Sequence, residues 1–153
     1  MADPKLVQQA VGAPLAAAGF KRKSDTWCSE NEHVVILVNL QKSQYSRQYY
    51  VNCGISLKRL GGDPPKREHL CHVRFRLTAI VPDVDRRSID SIFDLEDETL
   101  ADEERRERFT SLIRDLALPF LQECSSGEGI EEAIKNGKLD HALVSKQVRD
   151  LVC

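Results

Sequence analysis

Three side chains able to grip an anion stand at alternate positions of one short segment: His72, Arg74 and Arg76 in His72-Val73-Arg74-Phe75-Arg76. Alternation puts such residues on one face of a strand. Guanidinium groups are planar donors that take a carboxylate or a phosphate through paired hydrogen bonds. Upstream segments offer partners for that face, with Asn39 and Gln41 in one and Asn52 and Lys58 in the next. The candidate binding face is therefore Gln41, Asn52, Lys58, His72, Arg74 and Arg76, and the chemistry it suggests is binding rather than bond-making. Its competitor is the solvated side of a sheet covered by arginine stems, the usual fate of a charged strand face. Gln41-Lys42-Ser43 leaves an apolar segment, and Asn52 and Gly54 belong to its expected neighbour. Amides at such a place ordinarily satisfy loop backbone, and a strand glycine marks a bulge or a close backbone approach. The structural role is favoured there over a ligand-facing edge.

A second candidate surface is acidic. Between Asp83 and Glu104 the chain carries ten carboxylates against only Arg86 and Arg87, and Asp83, Asp85, Asp94, Glu96, Asp97 and Glu98 would form its exposed part. A calcium loop needs alternating oxygen ligands, a glycine and a closing glutamate. Asp83-x-Asp85-x-Arg87 breaks that scheme. The favoured reading is a solvated loop leading into a helix whose dipole welcomes negative charge. The alternative is a surface that docks a basic protein.

Other constellations carry less. His69-Leu70-Cys71-His72 suggests a metal site, but alternation opposes Cys71 to His72 and no second cluster completes four ligands. Gly61-Gly62 is followed by Asp63-Pro64-Pro65 instead of the Lys-Ser/Thr of a phosphate loop, and reads as a turn. The five cysteines, Cys28, Cys53, Cys71, Cys124 and Cys153, contain no Cys-x-x-Cys and read as free thiols of a reducing cytoplasm. A Cys–His nucleophile pair is a spatial arrangement that spacing does not place, and no pattern here favours one. No metal or cofactor is expected.

These residues need elements to position them. At 153 residues the chain suits one domain, 1–153, that buries about two-thirds of its unfolded surface. The apolar share of 41% and charged share of 30% fit a packed core under a wet surface. The longest apolar run, Val34 to Val38, is far short of the ~20 residues of a membrane helix. Met1-Ala2-Asp3-Pro4 has none of the features of a secretion signal. A cytoplasmic protein without membrane partners is expected. Residues 1–80 hold 12 Lys/Arg and 6 Asp/Glu, whereas residues 81–153 hold 10 and 18. With a net charge of −2, general nucleic-acid affinity is not expected, although a local basic face is compatible with the first half.

Asp3-Pro4 predicts a helix start. Leu6, Val7, Ala10, Val11, Leu15 and Ala18 continue at helical spacing, with a kink expected at Pro14 and a stop at Gly19. Strands are predicted over Phe20 to Cys28, His33 to Gln41 and the segment beginning at Tyr49. In the last of these, Tyr49, Val51, Cys53, Ile55 and Leu57 oppose Tyr50, Asn52, Gly54, Ser56 and Lys58. A fourth strand sets Cys71, Val73, Phe75, Leu77 and Ala79 against His72, Arg74, Arg76 and Thr78. Beyond Pro82 the period becomes helical. Thr99 and Asp102 resemble a capping box, and Phe109, Leu112, Ile113, Leu116, Ala117, Phe120 and Leu121 form one stripe with a bend expected near Pro119. Short helices are predicted around Ile130 to Lys135 and His141 to Leu151. This order predicts an α+β fold: an approximately four-stranded antiparallel sheet, one N-terminal helix, and several C-terminal helices packed on one face.

Several segments together resemble the DUF4304 domain family: Gly19-Phe20-Lys21-Arg22-Lys23 with Trp27, Leu40-Gln41-Lys42-Ser43, Tyr50-Val51-Asn52-Cys53-Gly54-Ile55, and Arg74-Phe75-Arg76-Leu77-Thr78 leading to Pro82 and Asp85. Leu118-Pro119-Phe120-Leu121 fits the helical end. Arg86-Arg87-Ser88 stands where the family pattern leads one to expect aromatic residues, so no aromatic platform is expected there. The resemblance implies a fold and a bacterial origin but no activity. The leading expectation is a non-enzymatic protein-binding module, in its most concrete form an immunity-type inhibitor that occludes a basic toxin. The alternative is a binder of an anionic small molecule or nucleic acid on the basic sheet face, with or without catalysis.

Overall fold

A computed structural model describes residues 3–152, except for the side chains of Asp83 and Val84. The architecture is α+β. Helix α1 (Pro4–Ala17) starts at Asp3, whose side chain accepts the Lys5 amide at 2.9 Å, and runs through Pro14 without interruption. The described residues then form a six-stranded antiparallel sheet in chain order: β1 (Lys21–Lys23), β2 (Thr26–Glu30), β3 (Val34–Lys42), β4 (Tyr49–Leu57), β5 (Val73–Arg76) and β6 (Leu143–Val144).

Six strands replace the expected four for two local reasons. Phe20 to Cys28 is not one strand but a hairpin, β1 and β2, turning at Ser24 with φ of 57°. The turn lacks the Asn-Gly or Asp-Gly signal that usually announces such a geometry. The segment expected to be helical from His141 instead supplies β6, which pairs through Arg74 with Leu143 and Val73 with Val144. Two residues are too few to display a period, and the pairing is completed by the Ser145 amide donating to the His72 carbonyl at 2.8 Å. Helix α6 (Lys146–Val152) begins only afterwards.

The fourth predicted strand is also shorter. It covers Val73–Arg76, and Leu77–Ile80 coils into a 3-10 turn. Before it, Glu68–Leu70 forms another 3-10 turn. This breaks the two-residue period ahead of β5, and Cys71 packs with Val35 and Leu37 on the face opposite to the one its alternation implied.

Helix α2 (Asp83–Ile92) is followed by α3 (Asp102–Leu112), a π-helical turn (Ile113–Ala117), α4 (Leu118–Glu123) and α5 (Gly127–Lys135). Pro119 cannot donate to the carbonyl one turn back, and its ring crowds that carbonyl. The widened turn just before it accommodates both effects without ending the helical run. The expected capping box is absent: the residue before α3 is Ala101, and the Thr99 hydroxyl donates to Asp97. Ser126 caps α5 by accepting the Gly129 amide at 3.0 Å.

The apolar face of the sheet presents Trp27, Val38, Cys53 and Phe75 in one rung, and Ile36, Ile55 and Val73 in the next. It shares a single core with Val7, Val11 and Leu15 of α1, Phe109 of α3, Phe120 of α4 and Ile130 of α5. Phe75 and Phe120 meet edge to face with centroids 5.5 Å apart, a favoured aromatic geometry. No helix among the described residues is long and apolar enough to cross a membrane.

Candidate functional site

The opposite face of the sheet begins as a polar rung. Register aligns Lys23, Thr26, Asn39, Asn52 and Arg76 across five strands. The Asn52 amide donates to Asn39 Oδ1 at 3.3 Å and to Gln41 Oε1 at 2.8 Å, and Asn39 donates to Thr26 Oγ1 at 3.2 Å. Linked in this way, the buried Asn52 amide is satisfied by the half-buried Asn39 and the exposed Gln41. Asn52 thus acts as a brace, and Gln41, held through its oxygen, keeps its amide hydrogens as the donors it can offer.

The next rung aligns Cys28, Leu37, Gly54, Arg74 and Leu143. Here the turn containing Glu68 to Cys71 lies directly on the sheet. A β-carbon on Gly54 would fall 2.7 Å from Cys71 Sγ and 2.8 Å from the Glu68 carbonyl oxygen. The missing side chain is what admits the turn, so Gly54 is a close-approach glycine, one of the two structural roles read from its type.

That turn separates the six predicted face residues into two clefts. Gln41, Asn52, Arg74 and Arg76 line a cleft of about 570 Å³ together with Glu68, His69, Thr78, Arg86, His141 and Leu143. Lys58 and His72 line another of about 560 Å³, beside Val35, Ser56 and the Gly61–Pro65 loop. Lys58 pairs there with Glu30 at 2.8 Å, which holds the Glu30 carboxyl below its ordinary range through that contact and its charge. His72 Nδ1 accepts the Leu57 amide at 3.0 Å, and desolvation lowers its pKa. A histidine committed as an acceptor and disfavoured as a cation serves the backbone.

The first cleft is the candidate site. Arg74 and Arg76 rise from β5, and Arg86 reaches in from the second turn of α2, with its Nε donating to the Thr78 carbonyl at 3.0 Å. Arg76 lies over the Tyr50 ring, its guanidinium carbon 4.0 Å from the centroid. Such stacking orients a guanidinium while leaving its edge to bind in plane. Among the described lining residues the carboxylate is Glu68, with His69 Nδ1 3.6 Å from it. Arg74 and Arg76 on adjacent same-face positions of β5, with Arg86 beside them, give the recess donors suited to an oxyanion. Among the described residues no cysteine offers it an activated thiol: burial raises Cys28 and pushes Cys53 and Cys124 up to about 12 and Cys71 up to about 11, where the reactive thiolate is scarce at neutral pH.

Sequence reading missed Arg86, His69 and His141 as neighbours of this recess. Arg86 was conspicuous as a departure from the family pattern, but nothing in α2 announced that the 3-10 turn after β5 would swing it back toward the sheet. His141 arrives from the far end of the chain with β6.

The predicted acidic surface is divided in use. Asp83 lies outside the described side chains. Asp85, Glu96 and Glu98 are exposed. Asp94 and Asp97 instead accept the amides of Glu96 and Thr99, each at 3.0 Å. Thr99's side-chain and backbone hydrogen bonds hold the Asp97 carboxyl below its ordinary range. Beneath this loop lies Arg105, 1% exposed, whose guanidinium donates to the carbonyls of Ser91, Ile92, Asp94 and Asp97. It ties the end of α2 and the acidic loop to α3. Its position four residues before Phe109, on the same helical stripe, was the available sign of burial.

No curated protein and no solved structure matches the chain. The model of DUF4304, a domain of unknown function, matches residues 11–123, from within α1 to the end of α4 and including the arginines of β5. The chain belongs to the DUF4304 family.

Proposed function

We propose that this protein binds a small anionic molecule in the cleft of Arg74, Arg76 and Arg86. The convergence of these three guanidiniums carries the reading: they come from β5 and from α2, the helix that follows it, and line one recess with Gln41 as a further donor. Charge-assisted hydrogen bonds to carboxylate or phosphate are the strong class. A recess of several hundred Å³ suits a small molecule better than a polymer. The cytoplasm is the proposed site of action, where unpaired thiols remain reduced.

Titration calorimetry with pyrophosphate and with a short dicarboxylate, in low-salt buffer, tests this. We expect saturable binding that weakens as salt screens the charges, and a loss of about ten- to a hundredfold in affinity when Arg74→Ala and Arg76→Ala are combined. Absence of binding to either anion by the folded protein would remove the reading.

A second reading, protein docking by an immunity-type inhibitor that occludes a basic toxin, rests on the exposed Asp85, Glu96 and Glu98 together with the exposed acidic first turn of α3, Asp102-Glu103-Glu104. Acidic strips of this kind steer basic partners through complementary potential. Charge reversal of Glu96 and Glu103 should slow capture of a cognate toxin and leave pyrophosphate binding intact. An unchanged association rate would count against docking through this strip.

A further inference from the structure

The arginine cleft holds charges of both signs that do not pair within it. Elsewhere on the surface opposite charges close on one another: Lys58 meets Glu30 at 2.8 Å, Arg108 meets Glu104 at 2.8 Å and Lys138 meets Glu123 at 3.0 Å. In the cleft, Arg86 is already engaged, with its Nε on the Thr78 carbonyl. Arg74 and Arg76 are different. Among the described residues neither guanidinium has an ion-pair or hydrogen-bond partner, and Arg76 has the Tyr50 ring beside it. Glu68 lines the same recess, although neither of these arginines forms an ion pair with it. The Glu68 side chain is 18% exposed, and its charged contact among the described residues is His69 Nδ1 at 3.6 Å, longer than a hydrogen bond.

The fold explains how opposite charges share a recess without joining. Arg74 stands opposite Gly54 in the register of β4 and β5. The turn that begins at Glu68 lies on Gly54 through its backbone, the Glu68 carbonyl oxygen falling 2.8 Å from where a β-carbon would be. The carboxylate is therefore carried on a turn laid over the sheet, whereas the two guanidiniums extend from the sheet itself. At alternate positions of a strand the arginines start about 7 Å apart, so two anionic groups on a short chain can meet both. From this juxtaposition we infer that the ligand is an amino acid bearing a second anionic group, with its two anionic groups on Arg74 and Arg76 and its ammonium toward Glu68. The inference rests on the anion-binding reading and adds a positive charge to the ligand. Two guanidiniums and one carboxylate complement two negative groups and one positive group. A plain dianion leaves Glu68 facing like charge, and a carboxylate largely removed from water gains from a cationic partner.

Titration calorimetry of the full chain at low salt compares glutamate with glutarate, the same dicarboxylate without the amine. A recess that is only basic favours glutarate, the more negative of the two. We expect the reverse order, with glutamate binding about three- to tenfold more tightly. The same comparison between O-phosphoserine and phosphoglycerate asks whether the second anionic group is a phosphate instead. N-Acetylglutamate, whose nitrogen carries no charge, should bind no better than glutarate, a control that leaves the protein unaltered. Glu68→Gln should abolish the preference for the amine while the amine-free anion still binds, and that binding shows that the variant folds. Arg74→Ala combined with Arg76→Ala should remove binding of both members of each pair. No preference for the amine in either pair would overturn this inference and leave the anion site standing. A preference that survives Glu68→Gln would overturn it too, by placing the ammonium elsewhere. If none of these anions binds, and pyrophosphate does not bind either, the anion site itself is gone.

Discussion

Gly54 and Ile55 are neighbours on β4 and look out on opposite sides of the same sheet. Ile55 is fully buried between Ile36 and Val73, beneath the helices. Gly54 is equally inaccessible, but what covers it is a single 3-10 turn laid onto the backbone. The apolar face is closed by whole helices sharing one core, so its residues are interchangeable in kind and sensitive in volume. The other face is closed at one strip only, and that strip decides which polar side chains can share a ligand. Gln41, Asn52, Arg74 and Arg76 fall on one side of it, and Lys58 and His72 on the other. A stripe of like residues on a sheet is thus not yet a surface; what lies on the sheet partitions it.

The largest expected effect belongs to the helix-covered side. Ile55→Ala should lower the free energy of unfolding by about 2–5 kcal/mol, the range for emptying a packed aliphatic site, and a denaturant titration reads it directly. A change below about 1 kcal/mol would mean that this face is looser than its burial implies.

Gly54→Val asks the same question of the other side. In an open strand valine would be the better residue. Here its β-carbon meets backbone and a cysteine side chain, and the expected cost is about 1–3 kcal/mol, accompanied by faster proteolysis after Lys66 or Arg67 as the turn lifts. A stabilised variant with an undisturbed turn would refute the close contact and, with it, the division of the face.

The smallest effect concerns pH. Because the folded protein holds the His72 pKa below its ordinary value through desolvation, the unfolded chain takes up the proton first. The contribution of His72 to stability is complete above about pH 6.5. It declines as pH falls from there and levels off below the native value. His72→Asn retains an acceptor for the Leu57 amide but does not titrate. Urea midpoints of the two proteins measured at pH 7.5 and 5 should therefore diverge at the lower pH, with the wild type losing more. Parallel behaviour would mean that His72 is not held as a neutral acceptor.

Much of the fold was legible because burial on one side of a strand imposes a two-residue period. Val51, Cys53, Ile55 and Leu57, and then Val73 and Phe75, sort in the structure as their spacing predicts. Asp3 and the stop after Ala17 were legible because caps have a local chemistry. Legibility failed where no local signal existed: the hairpin at Ser24, the two-residue β6, and Cys71, displaced by a 3-10 turn. In the candidate site, Arg74 and Arg76 were readable as one alternating pair. Arg86 and His69 were not, since the 3-10 turns flanking β5 carry no period, and His141 was not, since it arrives with β6 from the far end of the chain.

What the sequence determined by itself, then, is which residues point the same way within an element, because backbone geometry and the cost of exposing apolar surface act over two to four residues. Which of those residues meet was decided only by tertiary structure. The bare backbone at Gly54 admits a turn that splits the polar face, and the path of α2 and β6 brings Arg86 and His141 to the same recess. Contacts between residues tens of positions apart depend on how layers close over one another, and no local period records that.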